Sequence, residues 1–91
     1  MPLLSSRDLL GLNVETESGE RLGNITDFDI DLDGQRISAY QVKSSKILGG
    51  LFRRSLLIRP EQVVAISAKA MIVADSAIKE QKPMVAKPQP L

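Results

Sequence analysis

The sequence contains no cysteine, no histidine and no tryptophan. Those absences exclude disulfides, thiolate nucleophiles, imidazole acid–base chemistry and zinc sites of the Cys/His type, and with them much of the enzyme repertoire. Aromatic side chains are scarce as well. Phe28, Tyr40 and Phe52 are the whole set, so a core has to be built from Ile, Leu, Val and Ala. No apolar run approaches the ~20 residues that span a bilayer. Met1 to Leu12 lacks a signal-peptide core between a basic region and a cleavage site, which points to the cytoplasm. Ninety-one residues make one small domain. At about that size only ~60% of the unfolded surface is buried, too little for a deep catalytic cleft.

What the chain does contain is a clear β-hairpin between Glu20 and Ser44. Phe28, Ile30 and Leu32 alternate with Asp27, Asp29, Asp31 and Asp33, the period of two that sends one set of side chains to a core and the other to water. Asp33-Gly34 predicts a two-residue type I′ turn, in which both residues take positive φ. That turn sets a register: Leu32 faces Gln35, Asp31 faces Arg36, Ile30 faces Ile37, Asp29 faces Ser38, Phe28 faces Ala39 and Asp27 faces Tyr40. Apolar Ile30 then meets Ile37, and acidic Asp31 meets Arg36.

The remaining segments are shorter. Ser5 or Ser6 caps a helical turn over Arg7 to Leu10, with Asp8 suited to the helix dipole and Gly11 ending it. Leu9, Leu10 and Leu12 are expected to plug the open end of a sheet. Asn13 to Thr16 reads as a strand. In the next strand Leu22 and Phe28 share a phase that Ile25 breaks, which predicts a bulge within Gly23 to Thr26, with Gly23 its natural place. Arg36 to Lys43 follows as the third strand. A fourth runs from Leu51 to Ile58, interrupted at Arg53-Arg54-Ser55, with Leu56, Leu57 and Ile58 expected in the core. Arg59 to Gln62 is a turn, and Val63 to Ile66 and Ala70 to Ala74 form a last hairpin around Ser67-Ala68-Lys69. These are about six short strands, spaced as in a small barrel or sandwich. Residues 1–75 form the expected domain. Residues 76–91, with three prolines after Lys82, read as an extended tail or linker.

The order of these signals resembles the PRC-barrel family. Asp8-Leu9-Leu10-Gly11, Ser18-Gly19-Glu20 through Leu22-Gly23 and Ile25 to Asp27, Ile30 to Gly34, Leu57 to Pro60 and Val63 to Ile66 carry the resemblance, which spans residues 8 to about 75. It implies an all-β fold, a small and strongly bent antiparallel β-barrel of about six strands, used as a docking module with no family-wide catalytic residue. With no stretch that reads as the transmembrane helix of the photosynthetic reaction-centre H subunit or as the RNA-associated domain of the ribosome-maturation factor, the expectation is a stand-alone member.

Three site readings compete with plain structure. Asp29 to Gly34 fits the first half of a calcium-binding EF-hand loop, but its twelfth position is Tyr40 instead of Glu, and Ile30 and Leu32 read as core residues. The aspartates of the same stretch resemble paired carboxylates, yet on a solvated face all of them stay ionised. Charge is unevenly spread: residues 8–33 carry eight acids against Arg21, a net of −7, and residues 34–60 carry six bases and no acid. Folding back the hairpin brings the two signs together. Within the basic stretch, Lys43, Lys46, Arg53 and Arg54 are candidate contacts for an anionic partner such as RNA, although only Phe52 is near them for base stacking. Ile47, Leu48, Leu51 and Phe52 sit beside paired glycines in a loop and are the candidate interface, since a barrel this small has difficulty burying four such side chains. The expected function is thus a non-enzymatic module, without cofactor or metal, that docks on another protein or on a copy of itself as a homodimer. The alternative is an RNA- or ribosome-associated accessory factor binding through residues 43–54.

Overall fold

Ser5 does cap a helix. In the computed structural model, which describes residues 3–44 and 55–78, α1 covers Ser6–Leu9 and the Ser5 hydroxyl accepts the Asp8 amide at 3.3 Å. Gly11 follows at φ 90°, a conformation that favours glycine. It donates its N–H to the Ile25 carbonyl, docking the helix end on the sheet. Leu9 and Leu12 enter the core as expected, while Leu10, between them, points outward.

Six strands make one sheet: β1 (Asn13–Thr16), β2 (Arg21–Asp31), β3 (Arg36–Lys43), β4 (Ser55–Ile58), β5 (Val63–Ile66) and β6 (Ala70–Val73), in the order β4-β3-β2-β1-β6-β5. The sheet is strongly bent, and its connections show why. A flat sheet would hold β4 and β5, its two edges, about 24 Å apart at ~4.8 Å per strand. The chain runs from Ile58 to Val63 in five steps, a reach of at most about 18 Å. Part of that reach is taken up by a 3-10 turn at Pro60–Gln62, where the Gln62 side chain accepts the Arg59 amide at 2.8 Å. The edges must therefore curl toward each other, although no pairing closes β4 onto β5 among the described residues.

One pair departs from the expected all-antiparallel arrangement. β1 and β6 run parallel, with Val14 beside Met71 and Thr16 beside Val73. A parallel pair needs a long connection, and here the connection is the rest of the sheet. These four side chains are buried, and with Leu22, Ile25, Val42, Leu56, Ile58 and Ala77 they make up most of the core. Leu57, expected inside, faces outward because β4 alternates through Leu56 and Ile58.

The hairpin register is right at the tip and wrong below it. Asp31 pairs with Arg36 and Ile30 with Ile37 as expected. Ser38 is then an extra residue on β3, so Asp29 meets Ala39, Phe28 meets Tyr40 and Asp27 meets Gln41, until an extra Thr26 on β2 restores Ile25 opposite Val42. The Thr26 bulge is what lets Ile25 and Phe28 face the same side despite their odd spacing. A second irregularity lies at Leu22, where Val14 pairs with Gly23 and Glu15 with Arg21. The turn also differs from the expected type I′. Four residues, 32–35, close the Asp31–Arg36 pair, and the positive φ of 53° falls on Gln35, not on Gly34. Space does not demand glycine at 34 either, because the nearest atoms are the movable ends of two exposed side chains. A Cβ there would lie 2.8 Å from Arg36 Nε and 2.9 Å from Asp31 Oδ2.

Candidate functional site

Burial falls away steadily along the inner face of the β2–β3 hairpin. At its root Ile25 and Val42 are each 1% exposed. Next, Phe28 and Tyr40 are partly buried and pack against the core. Burial of the Tyr40 ring raises its phenol pKa above the ordinary value. Beyond them Ile37 still packs, partly buried, against the core, but Ile30 opposite it is 55% exposed and Leu32, in the turn, 85%. The expectation that Ile30 and Leu32 belong to the core is overturned: alternation gives them the inner face, but the core ends before it reaches them.

The root is fixed by a close backbone approach. Gly23 sits at φ 149°, and a Cβ on it would collide with the Lys43 carbonyl oxygen, with the Ser44 Cα only 3.1 Å away. Only glycine accommodates both the dihedral and the contact.

The opposite face of the hairpin carries the aspartates. Asp27, Asp29, Asp31 and Asp33 are all exposed. Their contacts are local: Asp27 Oδ1 accepts the Phe28 amide at 2.8 Å, Asp31 Oδ1 the Asp33 amide at 3.2 Å, and Asp29 Oδ1 the Gln41 side-chain amide at 3.4 Å. Of the EF-hand-like set, Asp29 and Asp31 lie two apart on extended β2, about 6.8 Å along the strand, and Asp33 follows in the turn, so the chain is not wrapped around one point as in a calcium loop. No group of three or more acidic residues among the described ones is arranged to hold a metal ion.

A polar clamp that the sequence did not announce ties the two ends of the domain. Asp75 Oδ1 accepts the Ser18 amide at 3.0 Å and the Ser18 hydroxyl at 2.9 Å. Ser18 Oγ lies 3.1 Å from buried Thr16 Oγ1, which accepts the Glu20 amide at 3.0 Å. The Ser18 backbone N–H and then its hydroxyl hold the Asp75 carboxyl below its ordinary pKa. Just beyond, Ala77 is fully buried.

Of the residues expected to make contacts, Lys43 lies exposed at the end of β3, paired with Asn24 on one side and Ser55 on the other. Ile47, Leu48, Leu51, Phe52, Lys46, Arg53 and Arg54 fall outside the described residues. An edge strand supplies apolar surface instead. β5 reads Val63-Val64-Ala65-Ile66 without a single polar residue, and all but Val63 are exposed. β5 pairs on one side with β6, bulging at Val64.

No helix among the described residues is long and apolar enough to cross a membrane. No curated protein matches the sequence significantly. The family model of the PRC-barrel domain matches residues 1–79, from the helix before β1 to the last turn after β6. With that match covering most of its length, the chain belongs to the PRC-barrel domain family.

Proposed function

We propose that this chain is a non-catalytic docking module that binds a protein partner along the outer edge of β5. PRC-barrel domains are an interaction-type, non-catalytic family. The observation that carries the reading here is the composition of β5. Natural edge strands are guarded by charges or proline, because their outer N–H and C=O groups template pairing with another chain. Val63 to Ile66 has neither guard. Among the described residues its one protective feature is the bulge at Val64, which leaves Ala65 and Ile66 for an added strand. A second copy of the chain is the first partner to test, and on sequence alone Ile47, Leu48, Leu51 and Phe52 are proposed as further contact residues.

Light scattering coupled to size exclusion, at low and high salt, tests this. A dimer at both salts that Ile66→Lys dissociates without lowering the melting temperature supports the β5 edge. A dimer that survives Ile66→Lys but not Leu48→Asp with Phe52→Asp moves the contact to the loop. Retention of every partner contact by both variants sinks the docking reading.

A further inference from the structure

We infer that the bond between Asp33 and Gly34 is a site of spontaneous covalent modification, where the ageing chain acquires an isoaspartyl linkage at the tip of the β2–β3 hairpin. The reaction needs no enzyme and no reagent but water, and it does not depend on the β5 edge being used. The Gly34 amide nitrogen attacks Cγ of the Asp33 carboxyl. An N–C bond forms, the amide proton and a carboxyl oxygen leave as water, and a five-membered succinimide results. Water then opens the ring. When it cleaves the bond from the nitrogen to the Asp33 α-carbonyl, the chain continues through the Asp33 side chain and the former α-carboxyl becomes a free carboxylate. Mass and charge are restored, and the backbone is one methylene longer.

The structure leaves both reacting groups open. Asp33 and Gly34 are exposed within the turn of residues 32–35. The Asp33 carboxylate has no hydrogen bond or ion pair to any described residue, although its own amide donates to Asp31 Oδ1 at 3.2 Å. The Gly34 N–H has no acceptor among the described residues either. No bond has to break before the nitrogen can approach Cγ, and with no side chain at 34 nothing shields that nitrogen. The turn also lies past the core, with Leu32 beside it 85% exposed, so the excursion that joins the two groups needs only local opening.

Asp75 provides the contrast that separates structure from motif. Asp75-Ser76 also sets a small residue after an aspartate. There, however, Oδ1 accepts the amide and the hydroxyl of Ser18, the backbone is a 3-10 turn, and Ala77 close behind is fully buried. Along β2, Asp27 and Asp29 precede Phe28 and Ile30, whose bulk crowds the attacking nitrogen. Isomerisation should therefore be confined to the tip. Its added methylene falls just inside the Asp31–Arg36 pair and far from the sealed Ile25–Val42 pair at the root.

The test is peptide mapping of the intact chain after several weeks at 37 °C and neutral pH. Isoaspartate is read by electron-transfer fragmentation and by methyl transfer from S-adenosylmethionine with an isoaspartyl-specific methyltransferase. The expected result is isoaspartate at residue 33 at least twentyfold above that at residue 75, with the ratio narrowing to under fivefold when the chain is held unfolded in urea. Gly34→Val should lower conversion at residue 33 at least fivefold, and in the aged 15N-labelled chain new amide signals should arise from residues 31–36 and not from Ile25 or Val42. Equal conversion at residues 33 and 75 in the folded chain would mean that the turn protects its own bond, and would overturn the inference. So would a ratio that is the same in urea, since the site would then be a property of the dipeptide and not of the fold. Undiminished conversion in a folded Gly34→Val variant would overturn it as well.

Discussion

The root and the tip of the β2–β3 hairpin share two strands and one alternation, but they differ in what lies against them. At the root, β1 and β4 flank the hairpin, Ile25 and Val42 are sealed, and the backbone at Gly23 touches Lys43. Toward the tip the same two strands run past the core: Ile37 still packs, partly buried, against its margin, while Ile30 opposite it is exposed. The difference teaches that binary patterning encodes an intended face, while burial depends on how far the neighbouring elements reach.

Substitutions on the two halves should therefore separate cleanly. The largest effect is expected from Gly23→Ala, which puts a methyl group against the Lys43 carbonyl at a dihedral alanine avoids. It should cost about 3 kcal/mol or more in urea denaturation, or prevent folding. Ile25→Ala should cost about 2–5 kcal/mol through the cavity it leaves, whereas Ile30→Ala should cost under about 1 kcal/mol. Equal losses at Ile25 and Ile30 would break the comparison.

A smaller, pH-dependent effect belongs to the clamp. Asp75 has a lowered pKa in the fold, so the stability it adds is complete above the ordinary carboxylate value of about 4. It is lost as pH falls through the lower folded value. Melting curves between pH 2 and 6 should show a shallower acid limb for Asp75→Asn, with the tip unaffected. The smallest effect should be seen at Tyr40, where root meets tip. Its raised pKa means a contribution complete below about pH 10 and lost as pH rises through the folded value. Absorbance titration of the phenol should give a midpoint above the ordinary value of about 10.

Much of the architecture was legible in the sequence, for reasons that also set its limits. β1 and β3 came directly from alternation and their flanking turns, and the odd spacing of Ile25 announced a bulge within Gly23 to Thr26, although it falls at Thr26 and not at Gly23, where glycine pointed. The Ser38 bulge was not legible, because Asp29 opposite Ser38 and Phe28 opposite Ala39 looked as consistent as the true pairs. Gly34 misled in a different way, since glycine commonly marks positive φ, and here the positive φ falls on Gln35. The parallel β1–β6 pair and the Ser18–Asp75 clamp join residues 57 apart in sequence, and local patterning carries no signal at that range. As for the site, composition flagged the apolar residues 47–52, whereas the exposed tip and β5 read as ordinary strands until the sheet order placed them at its margins.

The parallel pairing of β1 with β6 also governs the order of assembly during synthesis. β1 to β4 can form a meander as they leave the ribosome, but β1 keeps an open flank until residues 70–73 have emerged. Until then Val14 and Leu22 lack the Met71 and Val73 wall that seals them. The nascent domain thus spends most of its translation with a bare central seam. Contacts of such long sequence separation form late and slowly. A chain stopped before Ala70 would be an aggregation-prone half-sheet rather than a smaller version of the fold.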